Sequence, residues 1–104
     1  MDLIFAKPEE IVKKLCERLR KERLSQQMTQ SELGARAGVG VNTVSNLEAG
    51  RSVSFETIVR VAMVLGRAKE LEVLFEPKVD SLDDMLRYED TASRHRAKRK
   101  PKNA

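Results

Sequence analysis

Thr29–Arg51 reads TQSELGARAGVGVNTVSNLEAGR, two short helical stretches joined through a glycine turn. Thr29 and Glu32 have the spacing of a capping box, in which side chain and backbone at a helix N-terminus satisfy each other's hydrogen bonds. Ala37-Gly38 has the pattern of a helix end followed by a left-handed residue, a conformation that costs glycine nothing. Gly40 is free to serve as the next N-cap, so a second helix is predicted from about Val41 to about Ala49, with Gly50 as its stop. Local chemistry thus predicts a helix of roughly eight residues, a turn of about three, and a helix of about nine.

At about 100° per residue, the second helix puts Val44, Leu47 and Glu48 on one side and Asn42, Ser45, Asn46 and Ala49 on the other. The first side packs. The second is small, polar and uncharged, rich in groups that both donate and accept hydrogen bonds, which is what contact with base edges in a DNA groove requires. An ordinary solvated face would instead carry Lys and Glu.

The stretch resembles the lambda-repressor-like (Xre and Cro/CI) helix-turn-helix family. The residues that carry the resemblance are Thr29-Gln30, Leu33-Gly34, Ala37-Gly38-Val39, Thr43-Val44-Ser45, Leu47-Glu48 and Gly50. With flanking helices it extends over residues 8 to 76. Three positions depart from the family's habits: Gly34 stands for a common Ala, Gly40 for a common Ser, and Val41 for a residue that is often polar. Readout at the start of the recognition helix is then either weaker or rests on apolar contact between Val41 and a thymine methyl.

The resemblance implies an all-α fold, a five-helix lambda-repressor-like domain, here followed by a short C-terminal helix and a basic tail. It places the second helix of the motif in the major groove of duplex DNA while the first crosses the backbone. By matching position, Gln30, Val41, Asn42, Thr43 and Asn46 are the base readers. Asn42 or Asn46 suits bidentate pairing with adenine, and Gln30 occupies a family position that touches a base or its phosphate. Thr29, Ser45, Arg51 and Ser52 are assigned to the DNA backbone, where contacts position a protein without reading sequence.

Bounds come next from the whole chain. Its 104 residues allow one domain with a small core, and three Phe, one Tyr and no Trp leave that core to aliphatic side chains. The single cysteine, Cys16, falls on an apolar helical stripe and reads as a buried thiol in a reducing compartment. No metal constellation, nucleophile–base pair or phosphate loop is present, so neither catalysis nor a cofactor is expected. The opening residues are too short and acidic for a signal peptide, and no apolar run approaches the roughly 20 residues of a membrane span. A cytoplasmic, nucleoid-associated protein is the expectation.

The net charge of +4 is unevenly spread. Arg94, Arg96, Lys98, Arg99, Lys100 and Lys102 are six of the 20 basic residues and no acid accompanies them, which leaves 14 basic against 16 acidic residues, or −2, over positions 1 to 93. DNA affinity in the folded part therefore has to come from local cations and helix N-termini, with residues 94–104, read as a disordered tail, adding a sequence-independent attraction.

Residues 1–7 form an arm with Leu3, Ile4 and Phe5, either a short strand, a segment lying on a partner, or disordered. Helix 1 starts at Pro8, suited to the first helical position, with Glu9 and Glu10 in the first turn. It runs to about Leu24 with Ile11, Val12, Leu15, Cys16 and Leu19 as its stripe. Arg23 ends that stripe and Glu48 lies on the packed side of its own helix. Two opposite charges on packing faces suggest a buried ion pair tying the two helices, which the family resemblance also implies at the matching positions; the other reading is a helix-end arginine that reaches out to water. Ser54 caps helix 4, about Phe55 to Leu65, which is apolar nearly all round and needs cover on more than one side. A fifth helix, about Ala68 to Phe75, is expected to return Leu71, Leu74 and Phe75 to the core. Residues 77–93 form an extension with Ser81 and Asp84 at capping-box spacing and a short helix that needs a surface to pack on.

A module of this size usually binds palindromic half-sites as a dimer. Surplus apolar surface on helices 4 and 5 and the extension suggests a two-fold homodimer through some of Met63, Val73, Leu74, Phe75, Met85 and Leu86. The compact form with an acidic-apolar helix and a basic end also resembles HipB-type antitoxins, which accompany HipA-like kinase toxins and repress their own operon. A stand-alone prophage or metabolic repressor of the same family is the alternative.

Overall fold

The computed structural model of the chain describes residues 3–51 and 53–98. Regular structure among these residues is entirely helical: a single 3₁₀ turn at Leu3–Phe5, then α1 (Pro8–Ser25), α2 (Gln30–Ala37), α3 (Val41–Glu48), α4 (Phe55–Val64), α5 (Ala68–Val73) and α6 (Leu82–Lys98). The chain forms two compact units, one up to Glu72 and one from Val73 onward.

In the first unit, local chemistry sets the helix ends. Pro8 opens α1 with Glu9 and Glu10 in its first turn. Thr29 and Glu32 build a complete capping box on α2: Thr29 Oγ1 accepts from the Glu32 N–H at 3.0 Å, and Glu32 Oε1 accepts from the Thr29 N–H at 3.2 Å. Gly38 stands in the left-handed region at φ +74°, and its N–H closes on the carbonyl of Gly34. Ser54 caps α4 by accepting from the Thr57 N–H at 3.1 Å.

Two glycines let backbone approach backbone. A Cβ on Gly34 would lie 2.8 Å from the Val39 carbonyl oxygen, so the bare backbone lets the turn fold tightly over α2. At Gly50, also left-handed at +74°, a Cβ would come within 3.0 Å of Lys13 Cα, which sets how closely the end of α3 meets α1. Packing of α2 on α3 and α4, and of α1 on α3, encloses Cys16, Met28, Leu33, Ala37, Val44, Leu47, Val61 and Leu65. This core contains no aromatic residue, and burial pushes the Cys16 thiol pKa up, which disfavours its thiolate.

Several expectations are corrected. In α1, Val12 and Leu15 remain exposed, so its stripe is covered mainly at Cys16 and Leu19. In α4, Val61 and Ala62 are buried, but Phe55 and Met63 stay about 60% exposed (60% and 59%). The return of Leu74 and Phe75 to the core does not occur: α5 stops at Val73, and Phe75 adopts a left-handed φ of +57° with 89% of its surface exposed. Without a continued helix, the three- and four-residue spacing from Leu71 no longer brings those two side chains to the same face.

The second unit carries α6, 17 residues long, well beyond the short helix expected within 77–93. Ser81 Oγ accepts from the Asp84 N–H at 3.1 Å at its start, and Arg87–Asp84 and Arg94–Asp90 pairs at 3.4 and 3.1 Å run along it. No Gly or Pro interrupts residues 82–98, so the first part of the basic segment, residues 94–98, is helical rather than disordered. Residues 99–104 lie outside the described residues. None of the described helices is long and apolar enough to cross a membrane.

Candidate nucleic-acid interface

The core side of α3 is set by Val44 and Leu47, both 0% exposed, and by Glu48 at 7%. These three anchors fix the rotation of the helix. Val41, Asn42, Ser45, Asn46 and Ala49 are consequently exposed, and Thr43 is half-buried. No hydrogen bond within the described residues engages the side chains of Asn42, Ser45 or Asn46. Helix α3 therefore displays amide and hydroxyl groups on a rod that cannot roll without exposing Leu47.

Below this rod lies an ion pair. Arg23 donates from Nε to Glu48 Oε2 at 2.6 Å, from Nη2 to Glu48 Oε1 at 3.0 Å, and from Nη1 to the Met28 carbonyl at 2.7 Å. Both residues are 7% exposed. Burial opposes ionisation of Glu48, but the hydrogen bonds from Arg23 and Gln30 and the nearby charges of Arg23 and Arg20 outweigh it, holding the carboxyl below its ordinary range. Chiefly through its hydrogen bonds to Glu48, the Arg23 guanidinium is held charged more firmly than usual. The pair ties the end of α1, the loop at Met28 and the end of α3 into one rigid corner.

The other sequence-derived residues take different positions. Gln30, the first residue of α2, is half-buried and donates from Nε2 to Glu48 Oε1 at 3.0 Å, so it is joined to the pair rather than standing free. Thr29 is exposed, with its hydroxyl oxygen used in the capping box. Arg51 is exposed immediately beyond α3, and its N–H closes on the Asn46 carbonyl at 2.8 Å. Ser52 lies outside the described residues.

Thr43 and Asn46 also line a polar recess of about 200 Å³ with Val53, Ser54 and Thr57, which brings the start of α4 beside the exposed side of α3. Thr57 was not singled out by the sequence, because its pattern value there is only that of a residue in the first turn of α4. Arg60 was missed as well: it pairs with Glu56 at 2.9 Å and reaches the Ala37 carbonyl at 3.4 Å, holding the end of α2. The Glu56–Arg60 spacing was the available signal. Arg67, which binds Glu22 at 2.5 Å and also pairs with Glu70, links α1 to the start of α5; the Glu70 spacing was a local signal, but the bond to Glu22 spans 45 positions and had none.

A family model described as helix-turn-helix matches residues 19–71, from the middle of α1 into α5 and across the whole of the geometry above. The chain belongs to the lambda-repressor-like helix-turn-helix family. As a member of that family it is a DNA-binding transcription regulator, and α2 and α3 are its helix-turn-helix. No curated protein is significantly similar to the chain.

Proposed function

We propose that this helix-turn-helix protein is a sequence-specific repressor that binds palindromic duplex operators as a homodimer. One observation carries the proposal: α3 holds Asn42, Ser45 and Asn46 outward and unengaged while Val44, Leu47 and Glu48 lock its other side into the core. In the major groove, Asn42 and Asn46 are the amides suited to adenine, Val41 the contact for a thymine methyl, and Thr43 and Gln30 further base readers. Thr29, Ser45, Arg51 and Ser52 hold phosphates. The cations from residue 94 onward add attraction without sequence preference.

The homodimer rests on exposed apolar side chains, Met63 in the first unit and Val73, Leu74, Phe75, Met85 and Leu86 in the second, all between 44% and 89% exposed. Such surface on a DNA-binding module fits association of two copies across a two-fold operator. Within this reading the chain is an autoregulating antitoxin beside a HipA-like kinase toxin, on the strength of the acidic-apolar helix followed by a basic end. The competing role, a stand-alone prophage or metabolic repressor, keeps the same DNA chemistry and drops the toxin.

The test is enrichment of bound duplexes from a random pool, followed by gel shifts. A palindromic motif is expected, with Asn42→Ala or Asn46→Ala abolishing preference at particular positions. Deletion of residues 94–104 is expected to weaken binding to all duplexes alike and to reduce its salt dependence. Loss of sequence preference on tail deletion alone would overturn the assignment. A toxin-like reading frame adjacent to this one separates the two biological roles.

A further inference from the structure

The amide of Gln30 is not free to turn. Its Nε2 lies 3.0 Å from Glu48 Oε1, and that carboxylate is already gripped by Arg23 at 2.6 and 3.0 Å. A carboxylate bound in this bidentate manner is ionised and offers only acceptors. The two ends of a carboxamide have the same shape, but here the chemistry distinguishes them: with the amide reversed, a carbonyl oxygen would face an anion. Nε2 must point inward. Oε1 is the end left over, and among the described residues it has no hydrogen-bond donor. Gln30 is half-buried at the first position of α2, so part of it remains open to solvent.

We propose that Glu48 is a positioning residue for base recognition: it locks the Gln30 amide so that a carbonyl acceptor faces the DNA, which makes Gln30 select adenine. This rests on the duplex-DNA reading above. Adenine presents an N6 amino donor for Oε1 and an N7 acceptor for the remaining N–H. Guanine presents two acceptors, N7 and O6, on the same edge, thymine presents O4, and cytosine presents its N4 amino donor with no acceptor beside it, so each meets only one of the two groups that adenine satisfies together. A freely turning glutamine accommodates guanine and thymine by reversing its amide, whereas the locked one sets oxygen against oxygen. The buried pair then contributes to which sequence is bound as well as to the rigidity of the corner.

The experiment is duplex selection from a random pool with the full chain as wild type, Gln30→Ala and Glu48→Gln, each checked for folding by circular dichroism. In the wild type, one position per half-site is expected to favour adenine over guanine by roughly tenfold, and Gln30→Ala flattens that position. In Glu48→Gln the new amide can still accept from Arg23 and can also donate, so Gln30 turns either way. Adenine preference at that position should drop to about twofold or less, with guanine newly tolerated, while positions dependent on Asn42 or Asn46 keep theirs. Retention of the full adenine preference in Glu48→Gln overturns the inference, as does a uniform loss of affinity in Gln30→Ala with no base position altered. Failure of the wild type to enrich any duplex overturns it together with the DNA reading, which separates the two failures. Should Glu48→Gln not fold, the free wild type carries the test: one side-chain NH₂ proton of Gln30 is expected downfield of those of Gln27, and coincidence of the two overturns the proposal.

Discussion

Helices α3 and α6 carry the same kind of amphipathic pattern and meet opposite fates. On α3, Val44, Leu47 and Glu48 are 0%, 0% and 7% exposed; on α6, Leu82, Met85 and Leu86 are 68%, 52% and 53% exposed. Periodicity decides that both are helices. Burial, however, requires an opposing surface close enough to exclude water. The first unit has that surface because Gly50 and Gly34 let backbones come together and because Arg23 and Glu48 neutralise each other inside it. In the second unit, the ion pairs of α6 lie along its exposed length and leave its apolar stripe uncovered.

Breaking the buried pair gives the largest expected effect. Arg23→Ala or Glu48→Ala leaves one charge buried without its partner, and about 3–5 kcal/mol of unfolding free energy should be lost in urea denaturation. Arg94→Ala, which removes an exposed pair on α6, is expected to change stability little. If Arg94→Ala proved as damaging as Arg23→Ala, the contrast between the two helices would fail. The pH dependence sharpens the same point. Because the folded-state pKa of Glu48 is depressed below its ordinary 4.5, folding binds fewer protons than unfolding in the acid range. The contribution is fully present above that value and is lost as pH falls through the folded pKa. Glu32 acts in the same direction, its carboxyl held down first by the backbone hydrogen bond from Thr29. Acid unfolding below about pH 4.5 should therefore be shallower in Glu48→Gln than in the wild type.

Close backbone approach gives the next effect. Gly50→Ala introduces a methyl 3.0 Å from Lys13 Cα on a left-handed residue, and a loss of roughly 1–3 kcal/mol is expected beyond the conformational term. Gly66, left-handed at φ +79° but with open space where a Cβ would lie, supplies the control: Gly66→Ala should cost about 1 kcal/mol, the conformational term alone. Equal losses at the two sites in thermal melts would mean that α1 does not press on Gly50.

What the sequence revealed and what it concealed divides along the same line. The capping box at Thr29 and Glu32, the left-handed Gly38, the stop at Gly50 and the two sides of α3 are short-range matters of spacing and conformation, so they were legible. The end of α5 was not, because Phe75, a bulky residue, takes a left-handed backbone that propensity argues against. The length of α6 was hidden for another reason: a basic composition suggests a solvated coil, while the spacing of Arg94 from Asp90 and the absence of Gly and Pro support a helix. At the site, the exposure of Asn42 and Asn46 followed from periodicity. The bond between Gln30 and Glu48 did not, since it spans 18 positions and depends on how α2 crosses α3.

The smallest effect addresses the uncovered stripe directly. Leu86 is 53% exposed, so in an isolated copy Leu86→Ala removes little buried surface and should shift stability by about 0.5 kcal/mol or less. If two copies associate through this stripe, the folded state is stabilised by mass action, and the cost of the substitution grows with protein concentration. Thermal unfolding of wild type and Leu86→Ala at concentrations roughly a hundredfold apart distinguishes these cases. A gap between the two proteins that widens with concentration is the outcome expected of the homodimer. A loss of about 2 kcal/mol or more that ignores concentration would mean that Leu86 is buried within its own chain. The opposition between α3 and α6 would then be a matter of degree, and the dimer would need to be sought at Met63, Val73, Leu74 and Phe75 instead.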